Sequence, residues 1–459
     1  MIKLCEISFK LNKYKLTGFT FAIQPTKNSQ SGLYKSTKHT KKMKKYCSNL
    51  RKLCLFMVIA STMCIQAAAK RTYKGHFDIK GQNIIAPNGE IFHIKGTNLG
   101  NWLNPEGYMF IFDKVSSYRM IDQAFKELVG PDRTNYFWHQ FQDKYITRED
   151  IHYIKMTGMN SIRIPFHYKL FTNQDYMGYN NAERGFELLD RVIKWCKAEG
   201  LYVILDMHDA PGGQTGDNID DSYAYPWLFE STNDQTLFCS IWQKIAKRYA
   251  NETTILGYDL LNEPIAHYFA NKDDLNKKLE SVYKMGIAAI RQYDKNHIVM
   301  LGGAQWNSNF TVFNDYTFDK KMMYTCHRYW TDTLQSNIQD FLDFRNKVNL
   351  PMYMGETGEN TDEWVGAFRK LLERNNIGWH FWPYKKMESK RGIVNIVAPA
   401  KWNLIVEYTK QDRSGFDKIR ATRPSQNDAW EAMNALISNL EHHKCITNDK
   451  YIKALGLQP

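Results

Sequence analysis

From residue 91 onward, short apolar runs bounded by polar or turn residues alternate with longer stretches of helical spacing. Residues 91–100 read as a first strand, 160–165 as a second and 201–208 as a third. Residues 258–261, 298–301, 323–327, 352–355 and 378–381 supply five more. Runs apolar on both faces suit parallel strands covered on both sides. Between them, residues 186–199 repeat with helical period and stop at Gly200. Thr147-Arg-Glu-Asp150 has the form of a capping box, and Gly158 closes the helix it opens. Eight strands alternating with helices predict α/β architecture: a (β/α)8 TIM barrel, one domain with a long insertion over 107–150 after the first strand.

The segment before the barrel reads differently. From Met43 a Lys-rich stretch is followed by an apolar run over 53–65 and then Ala67-Ala-Ala69. Basic, apolar and small-residue regions in that order predict a signal peptide over 43–69, cleaved between Ala69 and Lys70. The apolar run is too short to span a membrane. Residues 1–42, Lys-rich and unpatterned, are expected to be a translation-start artefact, with 70–459 as the catalytic domain. The protein is therefore expected outside the cytoplasm, secreted or periplasmic, without stable membrane insertion.

That division changes the meaning of the charge. Residues 1–69 hold 13 Lys or Arg against one acid, Glu6, so 12 of the net 13 positive charges sit there. The remainder is nearly neutral, which removes the support for nucleic-acid binding. Cys196, Cys239, Cys326 and Cys445 stay with the barrel; spread so widely they are no disulfide scaffold, and their pairing is left open.

In a barrel of this kind function collects at the C-terminal ends of the strands. Those ends carry Arg163, His208, Asn262 with Glu263, Trp306, His327 with Tyr329, Glu356 and Trp382. Singly, a strand-end Glu is an ordinary capping residue and a lone His or Trp is ordinary core. Polar and aromatic groups ending seven strands together argue for one site. Two convergent carboxylates, Glu263 and Glu356, are what retaining glycoside hydrolysis needs.

Asn262-Glu-Pro264, Gly355-Glu356, Ile162-Arg-Ile-Pro165, Asp206-Met-His208, His327-Arg-Tyr329 and the Trp382 strand resemble glycoside hydrolase family 5, over roughly residues 85–410. Within it the chain is similar to the fungal exo-β-1,3-glucanase branch. Gly100-Asn-Trp-Leu-Asn-Pro-Glu106 resembles that branch's first-strand motif, which ends in a sugar-binding Glu. Asp209 departs from the branch's usual Gly, as do the acidic stretch 217–221 and the insertion. The expected activity is retaining hydrolysis of β-glucans, exo-β-1,3-glucanase or β-glucosidase-like; the alternative is an endo-β-1,4-glucanase or β-mannanase of the same family.

Residue type and position assign the expected roles. Glu263 is the acid/base and needs a raised pKa; Glu356 is the nucleophile and must stay ionised. Arg163 and Tyr329 support Glu356 by charge and hydrogen bond. Asn262 holds the sugar 2-OH, His208 and His327 bind hydroxyls, and Trp306 and Trp382 meet sugar rings, Trp382 from beneath the reacting one. By the resemblance to the exo-glucanase branch Glu106 binds the non-reducing sugar; on the plainer reading it caps a helix of the insertion. No cofactor and no metal are expected; the partner is a β-glucan oligo- or polysaccharide and the protein a monomer. Asp217, Asp220 and Asp221 could bind calcium but need no ion, and Glu441-His-His-Lys-Cys445 reads as a solvated helical tail.

Overall fold

A computed structural model describes residues 75–459 of the 459-residue protein. The expected leader and the stretch before it lie outside the described residues. Eight parallel strands close into a barrel: β1 (Lys95–Asn98), β2 (Ser161–His167), β3 (Tyr202–Asp209), β4 (Ile255–Asp259), β5 (Ile298–Gly302), β6 (Met322–His327), β7 (Met352–Gly358) and β8 (Gly378–Trp382). Each strand pairs with its sequence neighbours, and β8 closes the ring against β1, Trp379 facing Lys95. The (β/α)8 barrel read from the apolar runs is the observed fold.

Strand bounds moved where the surroundings, rather than the apolar run, set the pairing. The run from residue 91 gives only the four-residue β1, because Ile91 pairs instead with Ile85 of a hairpin (Asp78–Lys80, Asn83–Ile85) under the barrel. Phe77 and Ile84 of that hairpin region join Ile204, Leu256, Met300, Met323 and Tyr353 in a core that plugs the bottom. β7 runs three residues further than the apolar run, so Glu356 lies within the strand.

The insertion after β1 folds into two helices, α1 (Tyr118–Val129) and α2 (Pro131–Lys144). On α1, Ile121, Ala124, Phe125 and Leu128 recur at helical spacing and are all buried. α3 (Arg148–Met156) begins at the expected capping box, the Thr147 N–H donating to Asp150 at 2.8 Å, and Gly158 follows it with φ +97°. α4 (Arg184–Glu199) ends at Gly200 in the left-handed region, φ +75°.

Asp150 has a second task. The Lys385 ammonium lies 2.7 Å from it, with both side chains fully buried, and also donates to the carbonyls of Tyr145 and Leu440. Lys385 opens a small sheet (Lys385–Met387, Val394–Ile396, Ile446–Thr447) directly beyond Trp382. The tail is not the solvated helix expected from its charge. His442 docks 3.4 Å from Asp150, while His443 and Lys444 stay exposed. All four cysteines here are free, with Cys196 and Cys326 buried. Among the described residues no helix is long and apolar enough to cross a membrane.

Candidate active site

A cavity of about 610 Å³ opens at the C-terminal end of the barrel. Of the ten residues singled out from the sequence, eight line it: Glu106, His208, Glu263, Trp306, His327, Tyr329, Glu356 and Trp382. Arg163 and Asn262 do not reach the cavity wall. They are buried beneath it, where the Asn262 carboxamide oxygen accepts from Arg163 at 2.9 Å. The Asn262 amide nitrogen lies 3.3 Å from His208 Nε2. In the protein as it stands, Asn262 therefore braces the floor rather than presenting a free amide to the cavity.

Arg163 is the hub of that floor. Its guanidinium donates to Glu356 Oε1 at 2.6 Å, to Asp259 at 3.0 Å and to Asn98 at 3.1 Å, and it lies 2.9 Å from Asp206. One buried cation thus faces three carboxylates. Burial is the main cause that pushes Asp206 and Asp259 each up to about 7, against the opposing pull of Arg163. Asp206 and Asp259 sit inside β3 and β4; the sequence reading named Asp206 only within a motif and assigned neither a role. A charged residue within an otherwise apolar strand was the available signal.

An oxygen of Glu263 and one of Glu356 lie within 4.8 Å of each other. Burial pushes the Glu263 carboxyl up to about 7, while the fields of His208 and Arg163 oppose it. Burial raises Glu356 as well, opposed by His327 and Arg163. Burial lowers His208 to about 4 and His327 to about 3, so both imidazoles are neutral at pH 7. Arg163 is then the fixed positive charge that favours the ionised form of Glu356. Tyr329 adds a hydrogen bond, its hydroxyl donating to Glu356 Oε2 at 3.2 Å.

His327 sets the other carboxyl. Its Nδ1 lies 2.8 Å from Glu263 Oε1, and its Nε2 lies 3.1 Å from the Asn307 amide nitrogen. An amide N–H donating to Nε2 leaves the ring proton on Nδ1, aimed at Glu263. Asn307 reaches His327 because Gln305, Trp306 and Asn307 are all left-handed, with φ 51°, 57° and 56°. The same turn carries Trp306 to the cavity wall. Gly302 just before it makes room: a Cβ there would meet Asn307 Oδ1 at 1.9 Å. Glu263 itself has φ 47°, a strained conformation for a residue bearing a Cβ.

At the opposite end stand Glu106, Tyr108, Glu359 and Trp382. Trp382 Nε1 donates to the Tyr108 hydroxyl at 2.7 Å, and its ring stacks on His208 at 5.6 Å and 9°. Gly100 lets it lie close, since a Cβ would sit 2.6 Å from the indole. Lys386 pairs with Glu359 and lies 4.2 Å from the Tyr108 ring centroid. Glu106 occupies the N-cap position of the turn Gly107–Phe110, yet its side chain makes no cap hydrogen bond. The helix-cap reading of Glu106 is therefore set aside. It is 3 % exposed and its Oε1 has no partner. Burial and the neighbouring carboxylates, Glu356 first, hold Glu106 well above the usual range.

Two sets of side chains converge as cation ligands would: Asp206, His208 and Glu356, and Glu263, His327 and Glu356. The Arg163 guanidinium already bridges Asp206 and Glu356, so a second cation there meets direct repulsion. The acidic stretch is engaged in hydrogen bonds to its own loop and to neighbouring elements. Asp220 accepts the N–H groups of Thr215, Gly216 and Ser222, and Asp221 accepts that of Arg119 on α1.

An eight-stranded barrel with two buried carboxyl groups facing each other across a cleft at the strand ends defines the class of barrel glycosidases. The family description Cellulase (glycosyl hydrolase family 5) matches residues 123–388, and the chain belongs to that family. A β-xylosidase of Phanerodontia chrysosporium is 32% identical over 243 residues, 52% of this chain and 48% of its own length. Endoglucanase C of Acetivibrio thermocellus is 26% identical over 307 residues, 54% of this chain and 86% of that protein. A probable glucan 1,3-beta-glucosidase A of Aspergillus clavatus is 28% identical over 300 residues, 62% of this chain and 67% of that protein. Among solved structures, AoRut superposes with a TM-score of 0.55 at 16% identity, covering 64% of this chain and 89% of its own. That likeness is one of fold.

Proposed function

We propose that the protein is a retaining β-glycoside hydrolase that removes single glucose units from the non-reducing ends of β-glucans. The observation that carries this reading is the Glu263–Glu356 pair, with oxygens within 4.8 Å, one carboxyl tied to a neutral His and the other to a buried Arg. Retaining enzymes hold their carboxyl groups about 5–5.5 Å apart, whereas inverting ones leave about 6.5–9.5 Å for a water. Glu263, raised to about 7, is protonated in mildly acidic solution and donates to the leaving oxygen. Glu356, held by Arg163 and Tyr329, attacks the anomeric carbon and gives a covalent glycosyl-enzyme. Glu263, now ionised, then takes a proton from the water that releases the sugar. Asn262 takes the 2-OH if it gives up its bond to His208, and His208 and His327 meet neighbouring hydroxyls.

The exo reading rests on the Glu106 end of the cavity. Glu106, with a buried oxygen lacking a partner, is suited to accept hydroxyls of a terminal sugar, and a chain continuing there would leave it unsatisfied. The names of the relatives favour both readings, since endoglucanases and glucan 1,3-beta-glucosidases stand side by side. Export after cleavage near Ala69 is part of the proposal.

Hydrolysis of laminarin, lichenan, carboxymethylcellulose and mannan, with products sized at early times, tests it. Glucose as the sole early product, released first as the β-anomer by proton NMR, is expected. An early ladder of oligosaccharides makes the cleft open and the enzyme endo-acting; an α-anomer first overturns the double displacement.

A further inference from the structure

The cavity has two ends set by strand order. Glu106 and Trp382 stand at the β1/β8 side, and Glu263 and Trp306 follow β4 and β5, diametrically across the closed ring. The acid that protonates the leaving oxygen faces the leaving group, so on the proposed reading the rest of the substrate departs past Trp306. From there a file of aromatic rings runs out over the surface. Trp306 meets Tyr268 at 6.1 Å, Tyr268 meets Phe269 at 5.0 Å, Phe269 meets Tyr225 at 5.4 Å, and Tyr225 meets Trp227 at 4.7 Å.

Phe269 and Tyr225 are half-buried and anchor the file to the core, while Tyr268 and Trp227 are 52% and 47% exposed. The phenols are fixed in place. Tyr268 donates to Asp217 at 2.8 Å, and Tyr225 accepts from Asn271 at 2.7 Å. Asp217 also lines the cavity, so the ridge and the catalytic centre share a wall. Rigid aromatic faces present large apolar area at small ordering cost, which suits the C–H faces of pyranose rings.

We propose that this ridge, from Trp306 through Tyr268 and Tyr225 to Trp227, is a docking surface for the leaving-group portion of a polymeric β-glucan. The assignment rests on the functional reading above, and it makes the enzyme one that prefers long chains to disaccharides. A neutral polysaccharide is the occupant because the surface is continuous with the sugar cavity and is aromatic rather than charged.

Trp227 is the probe, being the far end of the ridge and in contact with no residue of the catalytic centre. Trp227→Ala is expected to raise KM for laminarin about tenfold, with Trp227→Phe within about twofold of wild type. Kinetics on 4-nitrophenyl β-glucoside, too short to reach Trp227, stay at wild-type values in both variants and report that the fold is intact. Should Trp227→Ala fold poorly, Trp227→Gln serves in its place. In a Glu356→Gln background, affinity for laminari-oligosaccharides is expected to rise with chain length, and to lose that rise with Trp227→Ala. Laminarin kinetics indifferent to Trp227, affinity independent of length, or equal damage to both substrates would overturn the ridge while leaving the hydrolase reading intact. Turnover of the aryl glucoside with none of any β-glucan would refute the glucan reading, and the ridge with it.

Discussion

Replacing the carboxyl of Glu263 by an amide should change the shape of the pH profile as well as the rate. Its pKa of about 7 sits well above the ordinary glutamate value, because burial penalises the charged form. An acid with that value is about 99% protonated at pH 5, half at pH 7 and about 10% at pH 8. kcat/KM on an unactivated glucan should therefore fall about tenfold per pH unit above 7. On the acid side, activity declines as Glu356 is protonated, above the usual glutamate range, since burial raises that carboxyl too. The two groups are close enough that the apparent values belong to the pair. Glu263→Gln should cost roughly 10²–10⁴-fold on glucans and remove the alkaline limb. For formation of the intermediate from a dinitrophenyl glucoside, whose leaving group needs no proton, the loss should be far smaller. Steady-state rates from pH 4 to 9 on both substrates, wild type and variant, make the comparison. An alkaline limb that survives in Glu263→Gln, or an equal loss on both substrates, would refute the acid/base assignment.

Glu356→Gln should abolish turnover of every substrate, with no covalent adduct seen by intact mass after a 2-fluoroglucoside is added. Glu106→Ala should lower kcat/KM on glucans by the worth of its hydrogen bonds, about 0.5–1.5 kcal/mol each; an unchanged rate would return Glu106 to a structural role. Lys385→Met removes the buried cation beside Asp150, leaving it only its hydrogen bonds from Thr147 and Tyr384 and its contact with His442, and should cost about 3–5 kcal/mol by chemical denaturation. The pH dependence has two signs. Asp150, depressed to about 2 by Lys385 against burial, adds stability above its ordinary value that fades as pH falls towards 2. Asp206 and Asp259, raised to about 7, bind more protons folded than unfolded, so their contribution is lost as pH climbs from about 4 to 7. Calorimetry should place the highest melting temperature on the acid side of neutrality.

The barrel was legible because buried parallel strands are apolar on both faces, a pattern that local sequence carries unaided. Strand ends were less so. Of the run 91–100 only Lys95–Asn98 forms β1, and Ile91 pairs instead with a hairpin that no spacing announces. The two facing carboxyls, Glu263 and Glu356, were legible as acids closing apolar runs, whereas Asp206 and Asp259 were given no role because the strands that contain them read as apolar. Asn307, Tyr108 and Glu359 were invisible for a different reason. They are brought to the site by left-handed turns and by a wall assembled from three distant segments, and neither leaves a periodic trace. Asn262 was placed correctly along the chain, but its depth relative to the cavity depends on Arg163, which only the closed ring reveals.

One guanidinium serving three acids has a consequence for heat tolerance. Asp206 and Asp259, raised to about 7, share Arg163 with Glu356, so the floor of the barrel carries an excess of negative charge only above neutral pH. Turning the nucleophile into an amide relieves that excess without emptying space. Above neutral pH Glu356→Gln should then melt higher than the unsubstituted protein, and a gain in robustness at this centre will pull against activity. For this fold, durability is better sought at the rim and in the tail than around Arg163.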